Sequence, residues 1–226
     1  MRLTVFFLIW AGAAVLRADC VSGGTRPATP EESGFELQAK TVLKNALAGT
    51  MPEGWAAKTQ PPVKASDSYC TGDNHPIGMS YRVQYENAAK KQAAFAKITP
   101  ATASNPSELK KITDEASIDT DVKISVGANS TFCGLNGDGV KKIDVPGAKI
   151  TLRVTDANKI TTTLVCMGDW QVTKTAPTTI EAISNLPASG ARTSVKTVSV
   201  NIEADPDRAD QLLKLIKLQE LAAMIH

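Results

Sequence analysis

Apolar and polar positions alternate along this chain with three different periods, and each period predicts a different kind of element. The first is continuous. Leu3 to Leu16 is an apolar run broken only by Thr4, preceded by Arg2 and followed by Leu16-Arg17-Ala18, which ends on a small residue. A basic start, a short apolar stretch and a small residue at its exit are the features of an export signal, so residues 1–18 are expected to be cleaved. The run is short of the roughly 20 apolar residues that a spanning helix needs, and no later segment approaches that length. The mature chain is therefore expected to carry no transmembrane segment.

The second period is helical. Phe35, Ala39, Val42 and Ala46 recur on one face with Leu43 and Leu47 beside them, and Gly49 and Pro52 supply a stop. Ser33 and Glu36 stand at capping-box spacing, which predicts a helix start there and leaves residues 19–32 as a flexible lead-in. Asn87 is followed by an Ala- and Lys-rich stretch to Ile98, a second helix ended by Pro100, and Asn105-Pro106-Ser107-Glu108 opens a short one carrying Leu109 and Ile112. Asp205-Pro206-Asp207 opens a last helix through Leu212, Leu213, Leu215, Ile216, Leu218, Leu221 and Ile225. Asp207 suits the positive end of its dipole. Apolar around much of its circumference, this helix is expected to be buried, with Lys214 and Lys217 on a narrow wet side.

The third period is two. Tyr81, Val83 and Tyr85 alternate with Arg82, Gln84 and Glu86, and further strand patterns follow at Ile124 and Val126, at Ile150 to Val154, at Ile160 to Cys166, at Trp170 and Val172, at Ile180 and Ile183, and at Val198 to Ile202. Asp156 to Lys159 turns a hairpin between two of them, because Asp and Asn tolerate tight turn conformations. Helices near both ends of a strand-rich middle predict an α+β fold, an antiparallel sheet packed with an N-terminal and a C-terminal helix in a two-layer sandwich. Residues 33–226 form a single domain on this reading, and any division into two packed halves falls within the polar stretch 99–121. A faint echo links Met51–Pro62 with Met167–Pro177, each a tryptophan followed by a Lys-Thr pair and a proline.

Cleavage would remove Arg2 and Arg17, so the 25 basic residues of the whole chain fall to 23 against 23 acidic ones. A near-neutral chain lacks the clustered basic excess of a nucleic-acid binder or of a membrane-surface helix. The 42% hydrophobic content supplies enough apolar surface for a core and argues against global disorder. Cys20, Cys70, Cys133 and Cys166 form an even set in an exported chain and predict two disulfides. Three pairings are open. Cys133 with Cys166 is favoured, because a hairpin between them returns the chain toward its start, and Cys20 with Cys70 follows by elimination. Cys20 just beyond the signal also raises lipid anchoring, although Asp19 stands where a small residue is expected.

Candidate chemistry is sparse. His75 and His226 are the only histidines, and the nucleophile-elbow, phosphate-loop and paired-histidine zinc patterns are all missing from the sequence. Asp67, Cys70, Asp73 and His75 cluster in one polar loop without the spacing of a metal motif. Asn136, Asp138 and Gly139 resemble part of a calcium loop, but Gly134 and Val145 occupy its end positions, which favours a Gly-rich turn. Asn129-Ser130-Thr131 is a formal glycosylation acceptor. Trp55, Trp170, Tyr81 and Tyr85 are the candidate binding residues; Tyr81 and Tyr85 share a strand face opposite Arg82. The sequence thus points to an exported, soluble, non-enzymatic module of the bacterial envelope, periplasmic or secreted. It has no cofactor, and its partner is an envelope protein or a small ligand. A carboxylate-dependent hydrolase and an assembly factor anchored at Cys20 are the alternatives.

Overall fold

The computed structural model describes residues 20, 23–50, 53–118, 120–157, 159–188 and 191–226, and the expected export signal lies outside them. The first half of the chain runs through β1 (Thr25–Pro27), α1 (Pro30–Ala46), β2 (Ala56–Thr59), β3 (Ser68–Cys70), β4 (Met79–Glu86), α2 (Ala88–Phe95), α3 (Pro100–Ala103) and α4 (Pro106–Ile118). Then come β5 (Asp121–Ala128), β6 (Phe132–Asn136), β7 (Lys141–Lys142), β8 (Ile150–Thr155), β9 (Thr161–Gly168), β10 (Gln171–Ala176), β11 (Thr179–Ile183) and β12 (Thr197–Ala204). Helices α5 (Pro206–Leu215) and α6 (Leu218–Ala222) follow.

The alternating segments pair into an antiparallel sheet of seven strands in the order β2-β4-β5-β12-β9-β8-β7. Side chains on successive strand residues point to opposite faces, so one row of apolar positions selects what covers each face. Tyr81, Val83 and Tyr85 of β4, Val122, Ile124 and Val126 of β5, and Val198, Val200 and Ile202 of β12 join Leu43 of α1, Leu212 of α5 and Leu221 of α6 in one core. A second antiparallel sheet, β10-β11-β6, packs over the β8–β9 hairpin around Leu135, Leu152, Trp170, Ile180 and Ala182. The fold is α+β with antiparallel sheets. Stretch 99–121 runs through α3 and α4, between β4 and β5, which are adjacent strands of one sheet.

Both disulfides pair as expected, Cys20 with Cys70 and Cys133 with Cys166. The hairpin that motivated the second is there, but Cys133 lies on β6 and Cys166 on β9, so the bond ties the two sheets to each other.

Helix α1 begins earlier than Ser33. Thr29 is its N-cap, accepting from the Glu32 amide at 3.2 Å while the Glu32 carboxylate accepts from the Thr29 amide at 2.9 Å. Thr29 and Glu32 have the same capping-box spacing as Ser33 and Glu36, and Pro30 at the first helical position is already set in φ for a helix. Within the lead-in, Thr25–Pro27 form β1, which pairs with β3. The last helix is interrupted. Ile216 is extended, with ψ 131°, and the amide of Lys217 leaves the helix to donate to the Ala46 carbonyl at the end of α1. A helix apolar around most of its circumference cannot bury every side against one sheet. Breaking it lets Leu212, Ile216 and Leu221 all enter the same core.

Closing a loop of 33 residues, the Cys133–Cys166 bond is expected to contribute about 3–4 kcal/mol on the chain-entropy model. The double variant Cys133→Ala/Cys166→Ala should lose that amount in a urea titration. An unchanged midpoint would show that the two sheets hold together without the bond.

Candidate functional site

Where the C-terminal turn of α1 meets β2 and β4, a pocket of about 190 Å³ opens. Its rim is exposed and partly polar, with Lys44 and Asn45 from α1, Ala57 from β2 and Gln60 beyond it. Its floor is buried and made by Leu47 with Tyr81, Val83 and Tyr85, three alternate residues of β4 that share one face by the pleat.

The two tyrosines differ in how their hydroxyls are used. Tyr85 lies 3.1 Å from the Thr50 hydroxyl, which itself donates to the Leu47 carbonyl at 2.7 Å, so the phenol donates into a chain that closes the end of α1. The Tyr81 hydroxyl oxygen is also out of water, but it has no hydrogen-bond partner among the described residues. Leaving such a group unsatisfied costs about 1–3 kcal/mol.

Of the four residues singled out by sequence, the structure brings Tyr81 and Tyr85 together in this pocket and places both tryptophans elsewhere. Trp55 is sealed in the larger core with the Arg208 guanidinium 4.8 Å from its ring centroid. Trp170 fills the smaller core, and its indole nitrogen donates to the Met167 carbonyl at 2.9 Å. Arg82 is exposed on the face opposite the tyrosines, paired across the strands with Ser125. Lys44, Asn45 and Gln60 were not singled out, because nothing local in the sequence says which end of α1 meets the edge strand.

A second concentration of polar groups surrounds two carboxylates one helical turn apart. Glu32 is buried and receives Arg26 through two bonds of 2.6 and 2.8 Å, Arg192 Nε at 2.8 Å and the Thr29 amide. The Arg26 guanidinium, with these other donors, holds its carboxyl well below the usual carboxylate range. Arg192 also reaches the carbonyls of Asp73 and His75 and stacks 5.3 Å from the Tyr69 ring centroid, tying α1 to the β3 loop. Glu36 is buried too, which alone would raise its pKa. Lys40 at 2.7 Å, the Tyr69 hydroxyl at 2.6 Å and the amide and hydroxyl of Ser66 outweigh burial and lower it. Both groups are saturated anions.

The other motifs resolve into structure. Among the described residues no group of three or more His, Cys, Asp and Glu side chains is arranged to hold a metal ion. Cys70 is in its disulfide, and His75 Nδ1 lies 3.0 Å from Asp73 Oδ1 on the surface. Asn136, Asp138 and Gly139 lie at the end of β6 and in the turn that follows it, where Gly137 and Gly139 have positive φ. The Asn129 amide donates to the carbonyls of Ile77 and Ser194 at 2.9 and 2.8 Å and accepts from the Lys196 amide at 2.8 Å. The nitrogen that a glycan would occupy is thus part of a buried joint between three segments. Compared with known protein families, curated proteins and solved structures, the chain matches none.

Two expectations follow from these networks. Glu32 and Glu36 have folded pKa values below their unfolded ones, so their stabilisation is present above the unfolded value of about 4.3 and is lost as pH falls through the folded value. Urea midpoints should therefore drop below about pH 4, and Glu32→Gln should be destabilised at pH 7 with a flatter acid limb. A wild-type acid limb no steeper than that of the variant would contradict this account. Asn129 has φ 57°, a backbone conformation that Asn tolerates better than most residues. Asn129→Ala strands three backbone groups and should cost about 2–4 kcal/mol by the same titration.

Proposed function

We propose that this chain is an exported, non-catalytic binding module that takes a small ligand in the Tyr81–Tyr85 pocket. The observation that carries the reading is the Tyr81 side chain, which lines a pocket with a partly polar rim and whose hydroxyl has no partner among the described residues, while its neighbour Tyr85 is bonded to Thr50. The hydroxyl is closed to water beside the pocket, so a ligand that displaces the side chains above it would supply the missing partner.

The competing reading, acid–base hydrolysis by carboxylates, asks for a group whose pKa is raised toward the working pH. The two buried glutamates are shifted the other way, with their lone pairs committed to arginine, lysine, tyrosine and backbone donors. Anchoring through Cys20 would need its sulfur for a thioether, and that sulfur is bonded to Cys70. Two disulfides, with the expected signal, favour a periplasmic or extracellular location. No helix among the described residues is long and apolar enough to cross a membrane.

Tyr81→Phe tests the reading in both states of the protein. Without ligand, removing an unsatisfied hydroxyl should leave stability unchanged or raise it by about 1 kcal/mol. Small aromatic fragments bearing a hydrogen-bond acceptor should shift the methyl resonances of Leu47 and Val83, and should bind the variant about fivefold more weakly. Destabilisation of the unliganded variant by more than about 1 kcal/mol would mean that the hydroxyl already has a partner, and the proposal would lose its basis.

A further inference from the structure

Resting on that pocket reading, we infer that the ligand is a small organic monoanion, a carboxylate borne on a single ring or a short hydrocarbon chain. The size comes from the cavity. About 190 Å³ is below the roughly 300–1,000 Å³ of pockets that take drug-sized molecules, so the guest is smaller than these. Its body is apolar, because Leu47, Val83 and the tyrosine rings form the floor.

The charge comes from the rim. Among the described residues Lys44 is the one ionisable side chain lining the pocket besides the two phenols, and no carboxylate lines it. Lys44 is exposed and makes no ion pair among the described residues. Asn45 and Gln60 add amide N–H donors beside it.

One feature opposes an anion here: the C-terminal end of a helix carries partial negative charge. At α1 that charge is largely spent. The carbonyls of Lys44 and Asn45 accept from the amides of Leu47 and Ala48, that of Ala46 accepts from Lys217, and that of Leu47 accepts from Thr50 twice. A full positive charge at the rim therefore faces bonded carbonyls, and the field at the mouth favours a carboxylate. The tyrosine faces would suit a cation through their π-systems, which makes a cationic guest the informative rival.

Three probes of similar shape separate these outcomes: benzoate, neutral benzamide and cationic benzylammonium, each titrated into the full mature chain while the Leu47 and Val83 methyl resonances are followed. Benzoate should bind about two- to fivefold more tightly than benzamide, the range for a solvent-exposed charge pair. That preference should collapse in about 0.5 M NaCl, where charges are screened within a few ångströms. It should also vanish in Lys44→Met, a surface change that leaves the core alone. If benzamide or benzylammonium shifts these resonances as strongly as benzoate does, the ligand is not an anion and only the present inference fails. If none of the three shifts them, the pocket itself is not a binding site and both readings fall.

Discussion

Strand β9 has no exposed residue, and much of the architecture answers to that constraint. Val165 and Met167 point into the core beneath the helices, while Leu164 and Cys166 point into the core shared with the second sheet. A strand apolar on both sides needs a layer on each, since every exposed apolar side would forfeit the transfer free energy that drives folding. The three-stranded sheet supplies the second layer. Cys133 on its β6 strand is bonded to Cys166 from within that buried face, so the covalent tie lies at the point where the two layers are already driven together. Phe132, half exposed on the outer side of β6, lies across Gly134, whose missing side chain leaves room for the ring.

The other face depends on the seating of α1. Its position is fixed at one end by charge and at the other by packing. Glu32 and Glu36 accept from arginines, lysine, tyrosine and backbone that come from β1, from α1 itself, from β3 and the segment before it, and from the loop before β12. Removing one partner of such a network would leave an uncompensated buried charge, so the N-terminal half of α1 has little freedom to shift. At the other end Leu43, Ala46 and Leu47 enter the core and Lys217 clasps the final turn. The pocket lies at this second end. Its walls are therefore elements of a rigid scaffold, which is what a site with a small number of polar contacts requires.

Local periodicity made most of the sheet legible. The 81, 83, 85 alternation placed two tyrosines on one face and Arg82 on the other, and both placements hold because the strand pleat leaves no alternative. The even cysteine count and a hairpin between two of them were enough for the disulfide pairing. Three things were hidden for physical reasons. Two capping boxes overlap at Thr29 and Ser33, and the choice between them rests on Pro30 and on distant donors to Glu36. Arg192 meets Glu32 across 160 positions, a separation at which no sequence pattern survives. The pocket combines the last turn of α1 with an exposed edge strand and a buried central one, and that juxtaposition is a property of packing alone.

The contrast between Tyr85 and Tyr81 bears most directly on function. They are four residues apart on one strand, both buried against the same helix end, and either ring would fill its space as phenylalanine. At Tyr85 the hydroxyl has a structural task, since it completes the chain through Thr50 to the carbonyl of Leu47. At Tyr81 the same oxygen adds a desolvation penalty that folding alone would remove by substituting phenylalanine. Two cross-links leave the domain enough margin to carry a penalty of about 1–3 kcal/mol. Buried oxygens of Thr151 and Asn201 also lack a partner among the described residues, so Tyr81 is set apart by its place in the pocket lining. On the proposed reading, a ligand in the adjacent pocket, rimmed by a lysine with no ion pair among the described residues, is what would supply the partner.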